Sequence, residues 1–303
     1  MSKKKVVVHC GMTKTGSTAI QLFLRNEGIP DSFSYPESPN NHMSHFPFLQ
    51  NEQAVALISR FQNSDKDTLI LSDENLYRTH WEKAQRFWRD LSASEYDILA
   101  VMYVRPQPIW IQSIYQQYVT QWDHRYAGDI YSFISRFSID LNYFRHVRFL
   151  QALGIQVQVR SYDYALSTGG SVSDFLKVLE IEHEPQILEA QANPSMGRSA
   201  VEVVREMNRM GLIVNKDKYD ALINHLKNRT GNSSRFGFLS QSDCDDLWAR
   251  FGVGNERLRD FMPKEHYDRF TKNNWPDAYR RDYFLPEITT IVADIWREFG
   301  GRN

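Results

Sequence analysis

HCGMTKTGST, residues 9–18, follows the apolar run Val6–Val8 and opens onto a stretch with helical spacing. An apolar segment, Lys5–Cys10, has the composition of a buried strand, and Ser17–Asn26 that of a helix. Between them, Gly11 and Gly16 permit backbone angles closed to other residues. The first turn of the helix then presents N–H groups with no intrahelical acceptor, which suit an anion. Ser17 and Thr18 add hydroxyl donors at the same point. Strand, glycine loop and helix together predict an α/β unit that holds a phosphate-like group.

Working outward, three more apolar runs bounded by turn residues read as strands: Thr68–Ser72, Ile98–Val104 and Ile155–Arg160. Helical periods lie between them, near Gln53–Asn63, Trp81–Leu91, Pro108–Gln121 and Leu141–Leu153. Strands alternating with helices predict a parallel sheet covered on both faces, with ligands at the carboxyl ends of the strands. After about residue 170 the pattern becomes helical only, in segments near Val172–Leu179, Ser199–Met210, Lys216–Lys227, Ser240–Phe251 and Pro286–Glu298. The expectation is a single domain over 1–303, with an α/β core at 1–170 and a mainly helical portion, 171–303, packed on it.

The chain has 303 residues, enough for a full core without cross-links. A net charge of −1 argues against a nucleic-acid or membrane-surface protein, though it leaves room for a local basic pocket. The two cysteines, Cys10 and Cys244, form neither a disulfide framework nor a zinc spacing. The opening Met-Ser-Lys-Lys-Lys and its short apolar run do not make a signal peptide, and no stretch has the length of a membrane span. A cytoplasmic protein is expected.

The common nucleoside triphosphate loop is Gly, four residues, Gly, Lys and then Ser or Thr. Here serine stands after the second glycine, and the lysine, Lys14, comes two residues before it. The group that would reach the β- and γ-phosphates is displaced. GMTKTGSTAIQLFL closely resembles the 5′-phosphosulfate loop of the sulfotransferases that use 3′-phosphoadenosine 5′-phosphosulfate. The resemblance implies a fold of P-loop nucleotide-binding type and a donor loop formed by Lys14, Thr15, Gly16, Ser17 and Thr18. It gives Lys14 the role of neutralising charge on the bridging oxygen during transfer. It also implies adenosine 3′,5′-bisphosphate as product, no metal, and an acceptor with a free hydroxyl, a glycan or a small lipid-like alcohol.

YVRPQPIWIQSIYQQYV, residues 103–119, carries the resemblance further, to the family's 3′-phosphate motif. That assigns Arg105, at a strand end, and Ser113, on the next helix, to the 3′-phosphate. VQVRSYDYAL, residues 157–166, resembles the family's strand followed by a Tyr-Glu-Asp-like segment whose tyrosine contacts adenine, which assigns Tyr162; Asp163-Tyr164 departs from the family's acidic pair. Asn193 and Ser195 resemble a further segment near the cofactor. The acceptor needs a general base. Glu74, past the second strand, and His42, in the irregular stretch 36–47, are the leading candidates, beside Asp73, Glu37 and His45. His9 reads as a satisfied strand residue. A P-loop small-molecule kinase, with Asp73 on magnesium, and a non-enzymatic nucleotide-binding module are the alternatives. Trp81, Trp122 and Trp275 are candidates for an acceptor site.

Overall fold

The computed structural model describes residues 3–26, 29–35, 51–182, 196–212, 215–230, 237–272 and 284–299. Its contacts divide the chain into two compact units that interleave along the sequence. The first comprises Met1–Pro106, Asn142–Gln191 and Phe251–Asn273; the second comprises Gln107–Leu141, Ala192–Arg250 and Asn274–Asn303.

The first unit is built on five parallel strands: β1 (Lys5–His9), β2 (Phe33–Ser34), β3 (Thr68–Ser72), β4 (Asp97–Val104) and β5 (Gln156–Ser161). Their order across the sheet is β2-β3-β1-β4-β5. The connection from β1 leads to one side and that from β4 to the other, so the strand order reverses beside β1. In open α/β sheets the ligand crevice forms at the carboxyl ends of such strands.

Helices α1 (Ser17–Asn26), α2 (Asn51–Gln62), α3 (Glu82–Ser92), α4 (Gln107–Thr120), α5 (Ile130–Arg136), α6 (Tyr143–Ala152), α7 (Tyr162–Ser167) and α8 (Gly170–Val178) follow in chain order. Beyond them lie α9 (Arg198–Met210), α10 (Lys216–Thr230), α11 (Gln241–Arg250), α12 (Gly252–Arg257), α13 (Lys264–Phe270) and α14 (Phe284–Phe299).

Strand side chains alternate between the two faces of the sheet. On one face Val7, Ile70, Val101 and Tyr103 pack with Ile20, Phe23 and Leu24 of α1 and with Val172, Phe175 and Leu176 of α8. The residues of opposite parity, Val6, Val8, Leu69, Leu71, Ala100 and Met102, are also buried. Burial on both faces is what an all-parallel sheet requires. Each large aliphatic or aromatic side chain sequestered in this way contributes about 1.5–3 kcal/mol. The sheet therefore fixes its carboxyl edge rigidly.

The second unit is helical among the described residues. The end of α4 anchors it: Tyr219 Oη and Asn208 Nδ2 both donate to the Val119 carbonyl, at 2.7 and 2.8 Å. Gln112, mid-helix in α4, accepts at Oε1 from the backbone N–H of Phe238 and of Leu239. Both cysteines are free and buried, and burial pushes the Cys10 thiol up to about 12. No described helix is long and apolar enough to cross a membrane.

Four strands and the helices between them follow the apolar pattern of the sequence. β2, two residues long, carries no periodic signal. Tyr162, just past the strand expected at Ile155–Arg160, begins α7, a helix the periodicity does not mark. Ser161 caps that helix, its Oγ accepting from Tyr164 N at 3.3 Å. A serine followed by an aspartate in the first turn is a start signal outweighed by the β-branched run before it.

Candidate functional site

The loop after β1 keeps its strand partner for two further residues. Cys10 N donates to Val101 O and Met12 N to Tyr103 O, at 2.9 and 3.2 Å. The backbone then turns sharply. Lys14 has φ +67° and Gly16 φ +80°, both left-handed, with Thr15 between them at negative φ. This alternation turns successive N–H groups toward one concavity and makes an anion-binding nest. A left-handed lysine costs about 1–3 kcal/mol, a cost usually found at functional sites. The Thr15 hydroxyl donates to Met12 O and closes the loop from within. Ala19 and Ile20 donate to Gly16 O, so α1 starts there and the N–H groups of Ser17 and Thr18 form its open first turn.

Gly16 is required for two reasons. Its backbone is left-handed, and a Cβ would strike Ser171 and stand 2.8 Å from Cε2 of Tyr162. Ser171, on α8, also donates to the Gly16 carbonyl at 3.2 Å. The loop is thus packed directly against the tyrosine singled out from the sequence.

Arg105 follows β4. Its carbonyl accepts from Tyr143 Oη at 2.9 Å, which ties the strand end to α6. Its guanidinium lies 5.3 Å from the Tyr162 ring centroid and pairs through Nη2 with Asp163 Oδ1 at 3.0 Å. That pairing uses one prong. Arg105 Nε and Asp163 Oδ2 are buried without a hydrogen-bond partner among the described residues. An arginine with spare donors beside a left-handed glycine loop fits an anionic ligand. Gly16, Tyr162 and Arg105 therefore meet in one region of the first unit. Ser113 lies half-buried in α4, in the second unit.

The carboxyl end of β3 supplies the acid–base candidates. Asp73 N donates to His9 O at 3.0 Å and continues the ladder past β3. The Asp73 carboxylate accepts from Asn75 N, and burial pushes its pKa up to about 7, with Glu74 adding to the shift. Glu74 is half-buried. Burial raises its pKa, and the positive charges of Arg78 and Lys14 partly offset the rise. Lys14 and Glu74 thus feel each other's charge. The turn that holds them is pinned from below by Trp88 Nε1, which donates to Leu76 O at 2.9 Å. Arg78 lies 4.4 Å from the ring of Trp81, which is 42% exposed.

On the other side, Asp174 of α8 is buried among donors. Arg160 reaches it through Nε and through Nη2 at 2.6 Å, and Tyr103 Oη reaches it at 2.7 Å. His266 accepts Ser161 N at Nδ1, at 3.0 Å. Its Nε2 lies 3.2 Å from Asp174 Oδ1 and 2.7 Å from Nη2 of Arg160. Burial alone would raise Asp174, but the bonds from His266, Arg160 and Tyr103 outweigh it and hold the carboxyl well below its usual range.

His42, together with Glu37, His45, Asn193, Ser195 and Trp275, lies outside the described residues. The sequence reading missed Asp163 as the partner of Arg105, Ser171 behind the loop, and Arg78. Arg78 stands four residues past Glu74, a spacing that was available as a signal; Ser171 is 155 residues from Gly16 and had none. His9 departs from its expected satisfied state: Nδ1 meets Ser72 Oγ at 2.8 Å, while Nε2 is buried without a partner among the described residues. Compared with known proteins, the chain matches no family model, no curated protein and no solved structure.

Proposed function

We propose that the protein is a sulfotransferase that moves a sulfuryl group from 3′-phosphoadenosine 5′-phosphosulfate to a hydroxyl of an acceptor, a glycan or a small lipid-like alcohol, in the cytoplasm. One observation carries this reading: the glycine loop and Arg105 meet on the same tyrosine, Tyr162. A nucleotide with anionic groups at its 5′ and 3′ positions fits two anion anchors close together, and Tyr162 lies against both. The sheet order β2-β3-β1-β4-β5, with the glycine loop after the central strand, supports a three-layer fold of P-loop type.

In this reading the loop N–H groups, Ser17 and Thr18 hold the 5′-phosphate and sulfuryl oxygens, while Arg105 takes the 3′-phosphate. The acceptor oxygen forms a bond to sulfur as the bond between sulfur and the bridging oxygen breaks. Lys14 stabilises the negative charge that develops on that oxygen. The proton of the acceptor hydroxyl passes to Glu74. Burial makes Glu74 a stronger base than an exposed carboxylate, while the charges of Arg78 and Lys14 favour its ionised form. Adenosine 3′,5′-bisphosphate remains on the enzyme.

The test is thermal stabilisation by adenosine 3′,5′-bisphosphate without metal, compared with ATP and magnesium. A ligand at a hundred times its Kd adds about 2.7 kcal/mol, which melting resolves readily. Stabilisation by the bisphosphate is expected, and Arg105→Ala should remove most of it. A response confined to ATP–magnesium would instead support a kinase and defeat the proposal. Sulfur-labelled donor then identifies the acceptor from a panel of glycans and alcohols.

A further inference from the structure

The floor of the loop holds a group that donor binding, as described, leaves unused. His9 is the last residue of β1 and is fully buried. Its Nδ1 lies 2.8 Å from Oγ of Ser72, the residue opposite it in the β1–β3 register. Gln21 of α1 donates to the same hydroxyl at 3.2 Å. A hydroxyl accepts twice but has one proton to give. Ser72 gives its proton to His9 Nδ1 in the arrangement that leaves a donor at Nε2, while Gln21 donates to the same oxygen. Nδ1 is then the acceptor, and the imidazole proton resides on Nε2. Burial pushes the His9 pKa down to about 3, so the ring is neutral and carries that single proton.

Nε2 is aimed at the loop. A Cβ at Gly11 would stand 2.8 Å from it and 3.2 Å from Thr15 Oγ1. Only the hydrogens of Gly11 lie in that gap. The rings of Tyr103 and Phe175 pack on His9 elsewhere, with centroids 5.7 and 5.4 Å away. A buried donor with no partner among the described residues is rare in folded proteins and calls for an explanation. Here it stands under a nest at the start of a ten-residue helix. A neutral N–H at that place can bond an oxygen while adding no charge that would compete with Lys14.

We infer that His9 is a positioning residue of the anion loop: its Nε2–H, held beneath Gly11 and Thr15, takes up a hydrogen bond when a tetrahedral oxyanion draws the loop into its loaded form. The inference rests on residues 11–18 being an anion loop, but not on the anion being a phosphosulfate.

The experiment uses the full chain with ¹⁵N-labelled histidine. Long-range ¹H–¹⁵N spectra should show His9 protonated at Nε2, assigned by the signal lost in His9→Gln. Titration with adenosine 3′,5′-bisphosphate should move that resonance. Two variants separate the ring's two ends. His9→Gln keeps an amide donor near the position of Nε2, and its Kd for the bisphosphate should stay within about threefold of the parent. His9→Asn keeps a partner for Ser72 but withdraws the donor from the loop, and should weaken binding about tenfold.

A proton on Nδ1, or unchanged binding in His9→Asn, overturns the inference. So does an Nε2 signal that no anion moves. If the bisphosphate has no effect but inorganic phosphate, pyrophosphate or sulfate moves the Nε2 signal, the His9 assignment stands and the sulfuryl-donor proposal falls. Should His9→Asn fail to fold, the spectrum of the parent protein decides alone.

Discussion

The carboxylates that follow β3 and the one that Arg160 of β5 holds on α8 are the same chemical group, yet they are kept in opposite states. At β3, Asp73 and Glu74 are buried faster than they are paired, and both pKa values rise. Beside β5, Asp174 is buried at least as deeply, but four bonds from three side chains hold it ionised. Burial alone therefore does not ready a carboxylate for proton transfer. The balance between lost water and gained partners does. By that measure the β3 end holds the carboxylates suited to proton transfer, and the Asp174 cluster is a structural frame.

The largest test of the contrast is Arg160→Ala. It strands Asp174 with its remaining partners and removes the strongest charge. Losing one member of a buried pair costs about 3–5 kcal/mol. Denaturant unfolding should show that loss. A change below about 1 kcal/mol would mean that Asp174 is not framed by Arg160, and the contrast between the two ends would dissolve.

The next test is pH. The folded-state pKa of Asp73 is raised from 3.8 to about 7, so the folded protein binds this proton more tightly than the unfolded chain does. The resulting stability is fully present below about pH 4 and is lost as pH rises through 7. At about 1.4 kcal/mol per unit, the swing is at most about 4 kcal/mol. His9 acts in the opposite sense. Its pKa falls to about 3, so its contribution is present above pH 6.5 and lost as pH falls. The difference between the parent and Asp73→Asn isolates the aspartate: that difference should slope between pH 4 and 7, and a flat one would place the Asp73 carboxylate outside the desolvated β3 end.

How much of this was legible in the sequence depends on chain distance. Lys14, Gly16, Arg105 and Glu74 stand next to strand ends, and the parallel sheet brings all such ends to one edge. Finding the strands was enough to gather them. The frame was not legible, because its members come from separate elements. Arg160 is on β5, Asp174 on α8 and His266 on α13, and no local spacing marks a bond across 106 residues. Asp163 was noticed only as a departure from a familiar pair, since its partner lies 58 residues earlier.

A smaller effect concerns turnover. Glu74→Gln preserves shape and removes the proton acceptor. Once an acceptor is identified, kcat should fall about a hundredfold, the lower end of what general-base removal costs. Bisphosphate binding should stay within a few-fold. A kcat that survives the change would pass the role of base to another residue and leave the raised pKa of Glu74 as a by-product of burial.

The smallest effect falls on Asp163, the one carboxylate at the β5 end that touches the site. Its pair with Arg105 is partly exposed, at 20% and 16% for the two side chains, so its loss should cost stability no more than about 1 kcal/mol. Asp163 also sets a negative charge beside the guanidinium assigned to the 3′-phosphate in the proposed function. Asp163→Asn should remove that repulsion and loosen the hold on Arg105 Nη2, so bisphosphate should bind two- to fivefold more tightly by calorimetry. Weaker binding would have a different meaning: Asp163 would then be aiming Arg105 at its ligand. In that event the β5 end belongs to the chemistry as much as the β3 end does, and the division drawn between them must move one residue pair outward, to Arg160 and Asp174.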